Sequence, residues 1–138
     1  MAEELISDKN SVSENVTYLK DYQPPRYFID KTDLTFFLEP EKTFVTSQLC
    51  FRRNDFFNDK SSLELNGENL TLHSILIDGE PVLDSDYNIT KDGLIIKNPP
   101  DKFSLETTVE INPKKNLSLE GLYLSDGIFC TQCEAEGF

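Results

Sequence analysis

The sequence predicts an all-β fold, an antiparallel β-sandwich or saddle-shaped sheet, and three observations predict it. Phe103, Leu105, Thr107, Val109 and Ile111 alternate with polar residues over nine positions, the period of a strand with one buried face. Asp78-Gly79 and Asp92-Gly93 each lie between apolar runs, as tight hairpin turns require. Turn-forming residues recur from Glu39 to Pro113, and outside a short N-terminal turn no stretch carries the apolar period of a helix.

Residues 1–17 are polar, acidic and aperiodic, which predicts a flexible lead-in before a domain over 18–138. In Tyr22-Gln-Pro-Pro-Arg-Tyr27 the two prolines hold the backbone extended and exclude a helix. From Tyr27 onward Phe28, Thr32, Leu34, Phe36 and Leu38 fall mostly on one face, interrupted by Asp30, which predicts a half-buried strand. Glu39 to Lys42 is a turn. Thr43 to Arg53 forms a second strand with Val45, Leu49 and Phe51 on one face. Asn54 to Ser62 is a polar loop holding Phe56 and Phe57. Short strands follow at Leu63–Leu65, stopped by Asn66-Gly67, and at Leu70–Ile77. Beyond Asp78-Gly79 the chain returns through Val82-Leu83. Tyr87 and Ile89 begin another strand, and Leu94–Ile96 completes its hairpin. Asn98-Pro-Pro-Asp101 breaks the chain before the alternating run, and Asn112-Pro113 ends it. Six to eight strands with frequent turns place the chain among the sandwiches and saddles.

At 138 residues and 38% hydrophobic, the chain is long enough for one domain with a modest core. A formal charge of −12, with 13 scattered basic residues, excludes a nucleic-acid partner, because phosphate binding needs clustered Lys and Arg. It suits a soluble protein or one that attracts cationic ligands. No apolar run reaches membrane-span length, so no membrane partner is expected. The acidic N-terminus has no apolar leader, and three cysteines with Cys50 far from the others favour free thiols in a reducing compartment. A cytoplasmic location is therefore expected. The glycosylation-like triplets at Asn15, Asn69, Asn88 and Asn116 carry no meaning without a leader.

Candidate chemistry concentrates in Cys130-Thr-Gln-Cys-Glu-Ala-Glu-Gly-Phe138. Cys130 and Cys133 form a lone Cys-x-x-Cys. A structural zinc site needs four ligands, and Cys50 and His73 would have to complete it without recognisable spacing. A redox pair normally opens a helix in an α/β fold. Two partly buried free thiols are the plainer reading. His73, the only histidine, reads as a satisfied or surface residue on a face with Thr71, Ile75 and Ile77. No serine sits in a nucleophile elbow. Glu134 and Glu136 read either as a solvated acidic tail or as part of a cleft. In the second case Gln132 and Glu134 share a face, and an amide oxygen with a carboxylate accepts hydrogen bonds from an ammonium group. That pair would bind an amine rather than perform acid–base chemistry.

Leu119-Glu-Gly-Leu-Tyr-Leu-Ser125, followed by Gln132-Cys-Glu-Ala-Glu-Gly-Phe138, closely resembles the N-terminal domain of bacterial aminopeptidase N, a family of gluzincin-type zinc metallo-aminopeptidases. Tyr22-Gln-Pro-Pro-Arg-Tyr27, Asp33-Leu-Thr-Phe36, Lys42-Thr43, Leu65-Asn-Gly-Glu68 and Ile77-Asp-Gly-Glu-Pro81 agree with it. The resemblance implies a β-domain that caps an active site, with Glu134 binding the α-amine of a peptide substrate and Gln132 assisting. It implies zinc in the parent enzyme, held by ligands outside this chain, since no His-Glu-x-x-His motif occurs here. It also implies a domain incomplete at its C-terminal end, cut before the catalytic domain, with no catalytic residue and no metal ligand of its own. The partners implied are peptides with a free N-terminus and the missing catalytic domain. A stand-alone β-sandwich binding module, without catalysis, is the alternative.

Overall fold

The computed structural model describes residues 18–133. The lead-in expected at 1–17, and Glu134 and Glu136, lie outside the described residues. Ten strands run in order: β1 (Tyr27–Phe37), β2 (Thr43–Arg53), β3 (Leu63–Asn66), β4 (Thr71–Ile77), β5 (Glu80–Pro81), β6 (Tyr87–Ile89), β7 (Gly93–Ile96), β8 (Lys102–Ile111), β9 (Gly121–Ser125) and β10 (Ile128–Gln132). Two short 3-10 turns, Leu19–Asp21 and Pro113–Lys115, are the only helical segments among the described residues. None is long and apolar enough to cross a membrane.

Pairing is antiparallel throughout. A five-stranded sheet has the order β1-β2-β8-β4-β5, a three-stranded sheet the order β3-β7-β6, and β9 pairs with β10 alone. The all-β antiparallel expectation is met. The count exceeds the six to eight strands expected because several strands are only two to five residues long and β9–β10 had been passed over.

One face of the five-stranded sheet meets the three-stranded sheet. Tyr27, Phe51, Ile75, Phe103 and Leu105 join Leu63 and Ile96 in a single buried cluster. Phe51 stacks on Phe103 at 5.3 Å, and the Tyr27 ring meets both edge-on. Each such fully buried side chain contributes about 1.5–3 kcal/mol relative to exposure. The alternation read in β8 positions this core: Phe103 and Leu105 point inward while Ser104 and Glu106 do not.

Three expectations need correction. β1 is not half-buried: Leu34 and Phe36 are 52% and 43% exposed. β1 lies at the sheet edge, and the buried cluster sits at its Tyr27 end, opposite Phe51 and Arg53. Asp30, which broke the alternation, is a bulge in the β1–β2 ladder between Ile29 and Lys31. The strand after Asp78-Gly79 is Glu80–Pro81 rather than Val82-Leu83, because the two-residue turn closes on Ile77 and Glu80. His73 does not share a face with Ile75 and Ile77. A bulge between Leu72 and Ser74 leaves it outside the β4–β8 ladder, and its ring turns to Glu110.

Candidate functional site

The site read from sequence lies at the end of β10. Asp126 and Gly127 take positive φ angles of 49° and 79°, the type I′ geometry that matches the twist of paired strands. The ladder then runs from Ile128 opposite Ser125 to Gln132 opposite Gly121. An Asp-Gly dipeptide between Leu-Tyr-Leu and Ile-Phe-Cys was the sequence signal for this hairpin, and the strand reading missed it.

Asn116 fixes the base of the ribbon. Its Nδ2 donates to the carbonyls of Glu120 at 2.7 Å and Leu122 at 2.9 Å. Its Oδ1 accepts from the backbone N–H and hydroxyl of Ser118. Leu119 and Gly121 complete the bend at φ 61° and 68°. Asn116 entered the sequence reading only as a glycosylation-like triplet. Its role is to pin the loop that delivers β9, and a glycan on Nδ2 would remove one of the two N–H donors that do so.

Gln132 is the last residue of β10 and is exposed. Its Oε1 accepts the Cys133 N–H at 3.1 Å. A carbonyl oxygen has a second lone pair, so the amide retains acceptor capacity toward a cationic group. Glu134, the carboxylate expected beside it, lies outside the described residues.

The Cys-x-x-Cys does not form a module. All three cysteines are free, with Cys130 half-buried and Cys133 exposed, not partly buried as expected. Residues three apart along an extended chain point to opposite faces about 10 Å apart, too far for a disulfide. Cys50 lies on β2 opposite Lys31 and Ser104. His73 Nε2 meets Glu110 Oε2 at 2.8 Å, and its ring packs edge-on against Phe44 at 5.2 Å. Among the described residues no three His, Cys, Asp or Glu side chains gather as a metal would need.

Two open clefts occur elsewhere. One of about 270 Å³ lies between Pro81, Val82, Ile96 and Pro99, and one of about 330 Å³ lies between Arg53, Phe57, Asp59 and Asp101. Neither has Gln132 on its wall. Gln132 lies outside both, exposed at the end of β10.

No protein-family model matches the chain. It is similar to aminopeptidase N of Caulobacter vibrioides, 48% identical over 87% of this chain and 14% of that protein. Aminopeptidase N of Escherichia coli is 43% identical over 88% of this chain and 13% of its own length. Among solved structures, Legionella pneumophila aminopeptidase A in complex with aspartic acid superposes with a TM-score of 0.76, at 32% identity, over 88% of this chain and 14% of that one. The chain spans about a seventh of the length of these relatives. The resemblance to bacterial aminopeptidase N carried by the sequence motifs is borne out across most of the chain.

Proposed function

We propose that this chain, an N-terminal part of an aminopeptidase N-like protein, supplies that protein's anchor for the free α-amine of a peptide substrate. The observation that carries the proposal is the position of Gln132: exposed, at the end of the β9–β10 ribbon, and followed in sequence by Cys133 and Glu134. An ammonium group offers three donors. An amide oxygen and a carboxylate together can accept them, and the ionised acceptor contributes most.

Such an anchor makes an exopeptidase. It fixes the substrate's terminal charge and so sets which bond reaches the reacting centre. The reading makes Gln132 and Glu134 binding residues and gives this chain no catalytic residue. The parent would be a cytoplasmic zinc enzyme acting on peptides with a free N-terminus. Among the described residues none fits the zinc: the one histidine is engaged by Glu110, and no ligand cluster gathers. The metal's ligands and chemistry belong to the remainder of the parent.

The test is made in the full-length parent enzyme. Glu134→Ala leaves an ammonium without its counter-charge, so kcat/KM falls by about 2–4 kcal/mol of transition-state stabilisation. Gln132→Ala falls by less, since it removes a neutral acceptor. Steady-state kinetics on aminoacyl reporters with a free and a blocked amine check both. Unchanged kinetics for Glu134→Ala would remove the assignment.

A further inference from the structure

The β9–β10 ribbon leaves the five-stranded sheet through a bend over residues 116–121, and the chain ahead of that bend is held firmly. Pro113 is fully buried, the Lys114 N–H donates to the Pro40 carbonyl at 2.9 Å, and the Asn112 side chain accepts the Lys115 N–H at 3.0 Å. Asn116 is the next residue. Its Nδ2 reaches across the bend to the carbonyls of Glu120 and Leu122, the two that flank Gly121. Gly121 is the residue paired with Gln132 in the β9–β10 ladder. One side chain thus links the fixed segment to the rung that carries Gln132.

The bend is also strained. Leu119 takes φ 61°, in the left-handed region that favours glycine, although it carries a Cβ. Such a conformation persists where neighbouring bonds over-determine it, and such places cluster at functional sites. Here the bonds are those of Asn116, two donated to the start of β9 and two accepted from Ser118. We infer that Asn116 is a positioning residue for the amine anchor. It acts through Gly121 on Gln132, and on Glu134 two residues further along the chain. The inference rests on the anchor reading above and adds what holds the anchor in place. An anchor fixes a substrate only as well as it is itself fixed, and a misplacement of about 1 Å can cost on the order of a hundredfold in rate.

The test is made in the full-length parent enzyme with a free-amine aminoacyl reporter. Asn116→Ala lowers kcat/KM roughly tenfold. Asn116→Asp keeps the acceptor for Ser118 but sets an oxygen against the two carbonyls, so it loses at least as much. In a Gln132→Ala/Glu134→Ala background both amine acceptors are gone. There Asn116→Ala costs less than about twofold, the non-additivity of residues that act as one unit. A merely structural role costs the same factor in either background, so equal losses overturn the inference. Wild-type kcat/KM in Asn116→Ala overturns it too. Both single variants keep the wild-type circular dichroism, since the ribbon contributes no residue to the buried cluster. A variant that loses it marks Asn116 as a folding residue and sinks the positioning role. Impaired Glu134→Ala with silent Asn116→Ala removes this inference alone. Silent Glu134→Ala removes the anchor reading and this inference with it.

Discussion

Arg53 is buried because its guanidinium has partners on every side. It is 9% exposed, donates to Asp101 Oδ1 at 2.8 Å, to the carbonyls of Pro99 and Asp59 at 3.2 Å and to that of Ser61 at 3.4 Å, and lies over the Tyr27 ring. Three carbonyls from two loops accept from it, of which that of Ser61 also accepts the Tyr27 hydroxyl and that of Pro99 is the buried one. Arg53→Met therefore costs about 1–3 kcal/mol in urea unfolding, chiefly through the buried Pro99 acceptor left without its donor. Asp101→Asn costs less than about 1 kcal/mol, because its side chain is 82% exposed and water screens the pair. Tyr27 gives a pH signature. Burial raises its hydroxyl above the ordinary tyrosine range, against the opposing pull of Arg53. The folded chain thus holds that proton more tightly than the unfolded one. The stability it brings is complete below about pH 10 and falls as pH rises through the raised folded value. Tyr27→Phe removes this alkaline loss at some cost at neutral pH, since the bond to the Ser61 carbonyl goes with the hydroxyl. Denaturant melts at pH 8 and pH 11 check the sign. In sequence, Arg53 was half of a doublet in a scatter of basic residues. Its inward face followed from the parity of Leu49 and Phe51, but its carbonyl partners lie on loops that no local pattern places.

Turns were the most legible elements and register irregularities the least. Asp78-Gly79 closes its hairpin as its composition requires, with φ of 50° and 84°. Asp92-Gly93 reads identically, yet the turn falls one residue earlier, on Lys91-Asp92: the Thr90 N–H donates to the Gly93 carbonyl, and Gly93 opens β7 opposite Asn66. A Cβ there would sit 2.0 Å from the Leu65 carbonyl oxygen, whereas one on Gly79 would meet open space. Gly79→Ala pays only the positive-φ strain, about 1 kcal/mol. Gly93→Ala must push β3 from β7 and costs more than twice as much, with Leu63 and Ile96 of the core on the disturbed strands. Thermal melts of the two variants rank them. The bulges at Asp30 and His73 had no signal beyond a broken alternation. An extra residue in one strand shows itself only against its partner, and pairing is a tertiary fact. The exposure of Leu34 and Phe36 escaped sequence reading for the same reason: alternation announces an apolar face, not what covers it.

For the whole molecule, alternation and turn chemistry predicted the antiparallel all-β architecture, and β8 lies where its pattern put it. The site was legible by another route. Gln132 and Glu134 stood out through a motif resemblance, while composition and periodicity alone favoured a solvated acidic tail. The chain's similarity to aminopeptidases spans most of its own length and about a seventh of theirs.

The β9–β10 ribbon contributes no residue to the buried cluster. Its opening is then governed by its own ladder and by the Asn116 bonds, not by the melting of the core. Amides of Phe129–Thr131 should exchange with solvent faster than those of Leu49–Phe51, and Asn116→Ala should accelerate the first set alone, as hydrogen-exchange mass spectrometry or NMR would report. Raising the melting temperature through the core would consequently leave the ribbon's motion untouched. Heat tolerance and the mobility of the strand end that carries Gln132 are separately adjustable traits of this protein.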